Sequence, residues 1–369
     1  MPKANPFLPT ADQERLLKAL VFEGEAAVES WNAWRQSISV DDIDLASQRL
    51  LPLLFDKLRG MGIDHPDLRK YRSVARYIWF NNQRLFRVAK QILLCFAEAG
   101  IPAMPLKGLA VTLLYYRDFR LRAMNDLDIL VAPAAASDAA RLLTGMGWSS
   151  TSEALLKSEG YMRTRNAISF TNEQHFEIDL HWHVSQDHCK PDADDVLWRH
   201  SQPLAVGDFE TRALSDTDNL FHACIHGGVP NDLPPIRWIV DSAQILRLRS
   251  IDWDRLLDQG REFDLVRRLQ RTLGYLRGTL SLPIPDSVIT RLMKMEPSRI
   301  ELVQERVTAS RLHPFLKAAV WRYAHYCRNR ASREGFFRYL QEAYGERSLA
   351  GTVLSAAHRT ATGLFRYNR

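Results

Sequence analysis

Apolar residues recur three or four positions apart through most of residues 11–100. ADQERLLKALVFEG, DLASQRLLPLLFDKLRGMG and LRKYRSVARYIWFNNQRLFRVAKQILLCFAEAG each have the spacing of a helix that buries one face. Gly60, Gly62 and Gly100 fall where such helices should stop. The period then changes. IPAMPLKG predicts a short strand and a tight turn, LAVTLLYYRDF a helix, and NDLDILVA a strand. PAAASDAARLLTGMG has proline at its start and glycine at its end, as a helix does. YMRTRNAISF and HFEIDLHWHV predict a hairpin turning through Thr171–Gln174, and PLAV with FETRAL a second one turning at Gly207–Asp208. From SDTDNLFHACIHGG onward the pattern is helical. We therefore expect an α+β protein in three parts: a helical region at 1–100, an α/β core at 101–214, and a helical region at 215–369 with a basic tail.

Within that outline, HFEIDLHWHV alternates without a slip. Phe176, Ile178, Leu180, Trp182 and Val184 are apolar, and Glu177, Asp179, His181 and His183 lie between them. Period two predicts a half-buried strand whose four ionisable side chains share one face. Asp126 and Asp128 stand two apart in NDLDILV and so should also share a face. Like charges held side by side cost free energy unless a cation neutralises them. Paired carboxylates can hold Mg²⁺ and leave coordination positions for phosphate oxygens. Upstream, Lys107 and Gly108 join a predicted strand to a predicted helix. Glycine lets the backbone approach a phosphate, the helix start offers free N–H groups, and lysine adds positive charge.

The order of strand, Lys-Gly turn, helix, Asp-x-Asp strand, helix, and hairpin with a third aspartate resembles the nucleotidyltransferases of the DNA polymerase β superfamily. It is most similar to the branch known as uncharacterised nucleotidyltransferases. LKGLAVTLLY, LRAMNDLDILV and EIDLHWHV carry the resemblance, with LFHACIHGG and IRWIVDSAQIL in support, over roughly residues 10–260. It implies a mixed sheet core that holds two Mg²⁺ ions and a nucleoside triphosphate, and transfer of a nucleotidyl group with release of pyrophosphate. Asp126 and Asp128 match the paired metal ligands, Asp179 the third carboxylate, and Gly108 the glycine of the phosphate loop. The superfamily commonly has Gly-Ser at Lys107-Gly108-Leu109. The hydroxyl donor is thus missing, and Lys107 stands in its place. Lys107 and Arg122 are the expected triphosphate contacts, with a surface position beside Arg120 the alternative for Arg122.

Other constellations compete for the chemistry. His181 and His183 on one strand, with His222 and His226 four apart on a helix, could surround zinc. Alternatively His181 and His222 support Asp179 or touch the acceptor. Asp241 follows Arg237 by four residues, the spacing of a helical ion pair, or it helps form the acceptor pocket. WRYAHYCRNRASREGFFRYLQEAY mixes arginine with aromatics, which suits RNA, an acidic surface, or plain packing. No Ser/His/Asp arrangement, GxGxxG or GxxxxGK[ST] fingerprint stands out. A protein that keeps the fold and only binds nucleotide is the further alternative.

Composition sets the remaining bounds. The chain has 369 residues, 46% hydrophobic and 25% charged, as soluble globular proteins do. MPKANPFLPTADQERLLKAL lacks the apolar core of a signal peptide. Four cysteines without CxxC spacing are expected to be reduced thiols of a cytoplasmic protein. Net charge is +6, and residues 301–369 alone hold 12 Lys+Arg against 5 Asp+Glu. The basicity belongs to the C-terminal segment, which could meet an acidic partner. ATP is the expected donor, and the acceptor stays open among small molecule, peptide, protein and RNA.

Overall fold

The computed structural model describes residues 7–39, 41–153, 156, 158–229, 235–310, 312–329 and 335–361, the last four of these as backbone only. The basic tail at 362–369 lies outside the described residues, as does part of the arginine- and aromatic-rich segment at 330–334.

The expected helices form. They are α1 (Ala11–Val21), α2 (Gly24–Ser37), α3 (Leu45–Gln48), α4 (Leu51–Gly60) and the 31-residue α5 (Leu68–Glu98). Gly62 and Gly100 follow α4 and α5 at φ of 74° and 72°. That left-handed conformation ends a helix at little cost only in glycine. Next come β1 (Ala103–Pro105) and α6 (Lys107–Val111), which widens into a π-helical turn over Thr112–Tyr116. β2 (Leu127–Val131), α7 (Ala136–Gly145), α8 (Glu159–Thr164), β3 (Ala167–Thr171) and β4 (Glu177–His181) complete the sheet region. After α9 (Asp195–Arg199), β5 (Gln202–Val206) and β6 (Phe209–Ala213) make the second hairpin. The rest is helical: α10 (Asp216–Gly227), α11 (Arg237–Leu248), α12 (Trp253–Glu262), α13 (Val266–Gly278), α14 (Asp286–Lys294), α15 (Arg299–Ala309), α16 (Pro314–Asn329), α17 (Phe336–Tyr344) and α18 (Leu349–Ala361). None of the described helices is long and apolar enough to cross a membrane.

The main sheet has the order β1-β2-β4-β3, with β2 and β4 parallel and the outer pairs antiparallel. β4 therefore lies inside, and this corrects the half-buried reading. Its apolar face packs Ile178 and Leu180 against Leu85, Ile92 and Phe96 of α5 and against α7. Its polar face is covered too. Asp179, His181 and His183 are 7%, 4% and 3% exposed. Leu130 of β2, two residues beyond Asp128 and hence on the same face, belongs to the second core, built from α1, α4 and α10–α14. The carboxylate face thus looks toward α10 and the helices behind it.

Two strand boundaries also differ from expectation. β2 begins at Leu127, so Asp126 lies on the loop ahead of it. β4 ends at His181, because β3 begins only at Ala167 and the Asn166 carbonyl takes the N–H groups of both Trp182 and His183. His183 is off the strand that was to hold both histidines.

Candidate active site

Register brings the acids together. Asp128 of β2 is the direct neighbour of Asp179 on β4, and Asp179 in turn faces Ser169 of β3. The Ser169 hydroxyl donates to Asp179 Oδ1 at 2.5 Å. His181, two residues further along the same face, places Nε2 2.9 Å from Asp128 Oδ1 and Nδ1 3.4 Å from the Asn166 amide. Among the described residues, Asp128, Asp179 and His181 form the group able to hold a metal ion, with ligand atoms within 4.8 Å of one another. Asp126 is half-buried and outside that group, although its charge reaches Lys107, Arg122 and Arg237.

The turn between β1 and α6 closes over this pair. Leu106 donates its N–H to the Asp128 carbonyl at 2.9 Å. Lys107 then takes the left-handed φ of 41°, an uncommon choice for a side chain with a Cβ that costs on the order of 1–2 kcal/mol. Its ammonium reaches Asp128 Oδ1 at 2.6 Å. A Cβ on Gly108 would lie 3.2 Å from Met124 Cγ and 3.3 Å from Arg122 Nη1, so only glycine lets Arg122 and Met124 pack this close.

Electrostatics divides the two acids. Burial alone would raise the Asp128 carboxyl, but the Lys107 ammonium and His181 hold it well below the usual range. Burial raises the Asp179 carboxyl, and the charge of Asp128 raises it further. One carboxylate is thus fixed as an anion while its neighbour holds a proton more readily, the pattern found at acid–base and metal sites. Burial pushes the His222 imidazole down to about 3, and Lys107 adds to the effect, so His222 is neutral at physiological pH.

Arg122 is buried, contrary to a surface position. Its Nε and Nη2 make a bidentate pair with Asp241, both at 2.8 Å, and Tyr116 donates to the same carboxylate at 2.9 Å. This replaces the helical pair expected between Arg237 and Asp241: Arg237 donates to the Ala123 carbonyl instead. Arg122 Nη1 has no hydrogen-bond partner.

The four histidines do not converge on zinc. His183 is bound to Asp194 at 2.8 Å and His181 to Asp128. His222 and His226 meet edge to face with ring centres 5.9 Å apart. In the arginine- and aromatic-rich segment, Trp321, Arg322, Arg328, Tyr339 and Tyr344 are buried and pack inward, while Tyr323 and Phe337 are exposed.

Two cavities meet at Lys107, His222 and His226. The larger, about 510 Å³, is lined by Ser169, Asp179 and His181 and also by Asp187, Trp321 and His325. The smaller, about 110 Å³, is lined by Arg49, Arg122, Arg237 and Asp241. The larger is in the size range of small-molecule sites. Ser169, Asn166, Arg49, Asp187, Trp321 and His325 were not legible as site residues. Only Ser169 had a usable signal, its place opposite Asp179 across the hairpin.

Asp187 yields a stability prediction. Burial would raise its carboxyl, but Arg268 at 2.8 Å and Arg328 at 3.0 Å, with His325 at 3.4 Å, hold it well below the ordinary range. A carboxyl lowered by folding stabilises the protein above its unfolded pKa of about 3.9, and that stability is lost as pH falls toward the folded value. Urea midpoints should therefore drop from about pH 5 downward, and Asp187→Asn should flatten this acid limb. Equal slopes for the two proteins would clear Asp187 of the effect.

Buried carboxylates gathered from neighbouring strands, beside a lysine–glycine turn that opens a helix, are suited to hold a metal ion and the phosphates it binds. The chain belongs to the uncharacterised nucleotidyltransferase family, which matches residues 45–281. A comparison with the curated proteins finds no match. The match runs from α3 to just beyond α13 and includes every residue of the metal-binding group.

Proposed function

We propose that this nucleotidyltransferase moves a nucleoside monophosphate from a nucleoside triphosphate, ATP being the expected donor, to a hydroxyl or similar acceptor. The observation that supports this most is the register pairing of Asp128 with Asp179 inside a covered sheet. Lys107 pairs with Asp128 alone, and Asp179, buried beside it and driven toward its protonated form, calls for a further cation. In this reading Asp128 and Asp179 would hold Mg²⁺, with Asp126 of the preceding loop completing the oxygen donors for two such ions, since oxygen donors are what this cation takes. His181 then remains on Asp128 as a hydrogen-bond partner. Bound Mg²⁺ supplies polarisation of the phosphoryl oxygens and lowers the acceptor hydroxyl's pKa.

The chain's own groups do the rest. The acceptor oxygen bonds to the α-phosphorus, the bridge from the α- to the β-phosphate breaks, and pyrophosphate leaves. Asp179 takes the acceptor's proton on the carboxylate oxygen that Ser169 leaves free, a role suited to a carboxyl raised by its surroundings. Lys107 and Arg122 set positive charge against the triphosphate, with Gly108 allowing close approach. His222 and Asp241 border the acceptor and phosphate sides. Four free cysteines agree with the cytoplasmic setting of this reading.

Incubation with each of four α-labelled nucleoside triphosphates and cell lysate tests the proposal. Label on a small molecule, protein or RNA, absent with Asp179→Asn, is expected. No transfer from any of the four would overturn it.

A further inference from the structure

The outer face of α5 lines up positive charge without acids. Arg69, Arg72, Arg76, Arg84 and Arg87 are exposed, and none has a carboxylate partner. Some surface arginines elsewhere find one close by, as Arg15 does with Asp12, Arg120 with Asp118, Arg261 with Asp258 and Arg277 with Asp286, while Arg59, Arg117, Arg299, Arg306 and Arg347 have none among the described residues; what α5 adds is five such arginines on a single helix. α5 itself carries no acid but Glu98 at its far end, and the acids that reach it from other elements, Asp41 and Asp208, pair with Lys70 and Lys90. At 100° per residue, Arg69, Arg72, Arg76, Phe80, Arg84 and Arg87 lie within about 60° of one line. That line runs opposite the buried Tyr71, Ala75, Ile78, Leu85 and Ala89, over about 27 Å. Phe80 is 58% exposed on that line, and Tyr77 and Trp79, 71% and 46% exposed, flank it about 80° to either side. The Arg84 guanidinium stands 4.6 Å over the Phe176 ring, just ahead of β4. At the start of the helix, Arg59, His65, Arg69 and Arg72 line a cleft of about 290 Å³ against Asp64.

We propose that this face binds single-stranded nucleic acid, with phosphates on the arginines and bases stacked on Tyr77, Phe80 and Trp79. Unpaired positive charge alone would suit any polyanion. Flat aromatic rings standing exposed among the arginines select a partner that carries both phosphates and π-faces. A membrane surface fits less well. Helices that lie in lipid separate their charges from their apolar side, whereas here Phe80 sits in the arginine line itself. The mid-helix also abuts the catalytic edge, for Asn81 and Asn82 hold the Met124 and Arg122 carbonyls ahead of β2. The inference stands whether or not the catalytic proposal does.

The full chain, without Mg²⁺ or nucleotide, would be titrated into fluorescent single-stranded RNA and DNA of about 12 nucleotides, with anisotropy read at several salt concentrations. Each neutralised phosphate contributes about −0.7 to the log–log salt slope, so five arginines predict about −3.5. Arg72→Ala/Arg76→Ala should reduce the slope by about 1.4. Phe80→Ala and Tyr77→Ala should weaken binding about 5- to 100-fold with the slope unchanged. All four positions are exposed, and circular dichroism confirms that the variants fold. No binding at low salt would overturn the proposal, as would binding that ignores the arginine variant. Binding to phosphatidylserine vesicles but not RNA, or indifference to Phe80→Ala, would assign the face to a membrane or to polyanions at large.

Discussion

Asp179→Asn is expected to lower nucleotidyl transfer by about 10²- to 10³-fold or more while leaving the fold as stable as before, or more so. The two halves of this result have one cause. Asp179 lies buried beside Asp128 with its carboxyl pushed up by burial and by that neighbour's charge. An acid whose pKa is raised by folding is destabilising in its ionised form, and the neutral amide removes the repulsion. Asparagine can still accept the Ser169 hydroxyl bond, so local geometry is kept. What is lost is negative charge toward a cation and the group that takes the acceptor's proton. Thermal unfolding with EDTA and then with Mg²⁺ separates the roles. The wild type should gain stability with Mg²⁺ as RT ln(1 + [Mg²⁺]/Kd), and the variant should lose most of that gain. A variant that keeps full activity and the full Mg²⁺ response would remove Asp179 from the site.

Arg122→Met should have the largest effect on stability, a loss of about 3–5 kcal/mol in urea denaturation. Arg122 and Asp241 are both buried, joined by two 2.8 Å hydrogen bonds. Methionine fills similar space but leaves the Asp241 carboxylate with only the Tyr116 hydroxyl. The cost is that of an abandoned buried charge rather than the worth of the bond. Arg122→Met/Asp241→Leu should therefore recover most of the loss, since removing both charges also removes their desolvation. A single variant within 1 kcal/mol of wild type would show that the pair is not structural. This matters for catalysis as well. A guanidinium fixed by Asp241 cannot swing toward a triphosphate, so only its unpartnered Nη1 could face one.

Local pattern carried much of this site. Alternation from Phe176 to Val184 put Asp179 on a strand, and the two-residue spacing of Asp126 and Asp128 drew attention to the next strand over. What pattern could not supply was register and depth. Whether Asp179 meets Asp128 or Asp126 depends on a parallel pairing across about 50 positions, and the parallel ladder selects Asp128. Burial of the polar face depends on β4 being interior, which alternation does not encode. His181 reads as a helper of Asp179 from its position in the strand, yet it bonds to Asp128, 53 residues away. Arg122 and Asp241, separated by 119 positions, left no local trace, and the nearer Arg237 was the natural but incorrect partner. The arginine line on α5 is written in the same helical spacing as its core face. The sequence gives those arginines no acid within the helix, but only the fold reveals that none arrives from elsewhere.

The segment shared with the family stops at residue 281, but Trp321 and His325 of α16 line the same larger cavity as Asp179 and His181. A fragment trimmed to the shared part would keep all three aspartates and lose Trp321 and His325 from the cavity lining. In the intact chain the lining of that chamber is drawn from both sides of residue 281, so its shape is set in part by residues that the shared segment lacks.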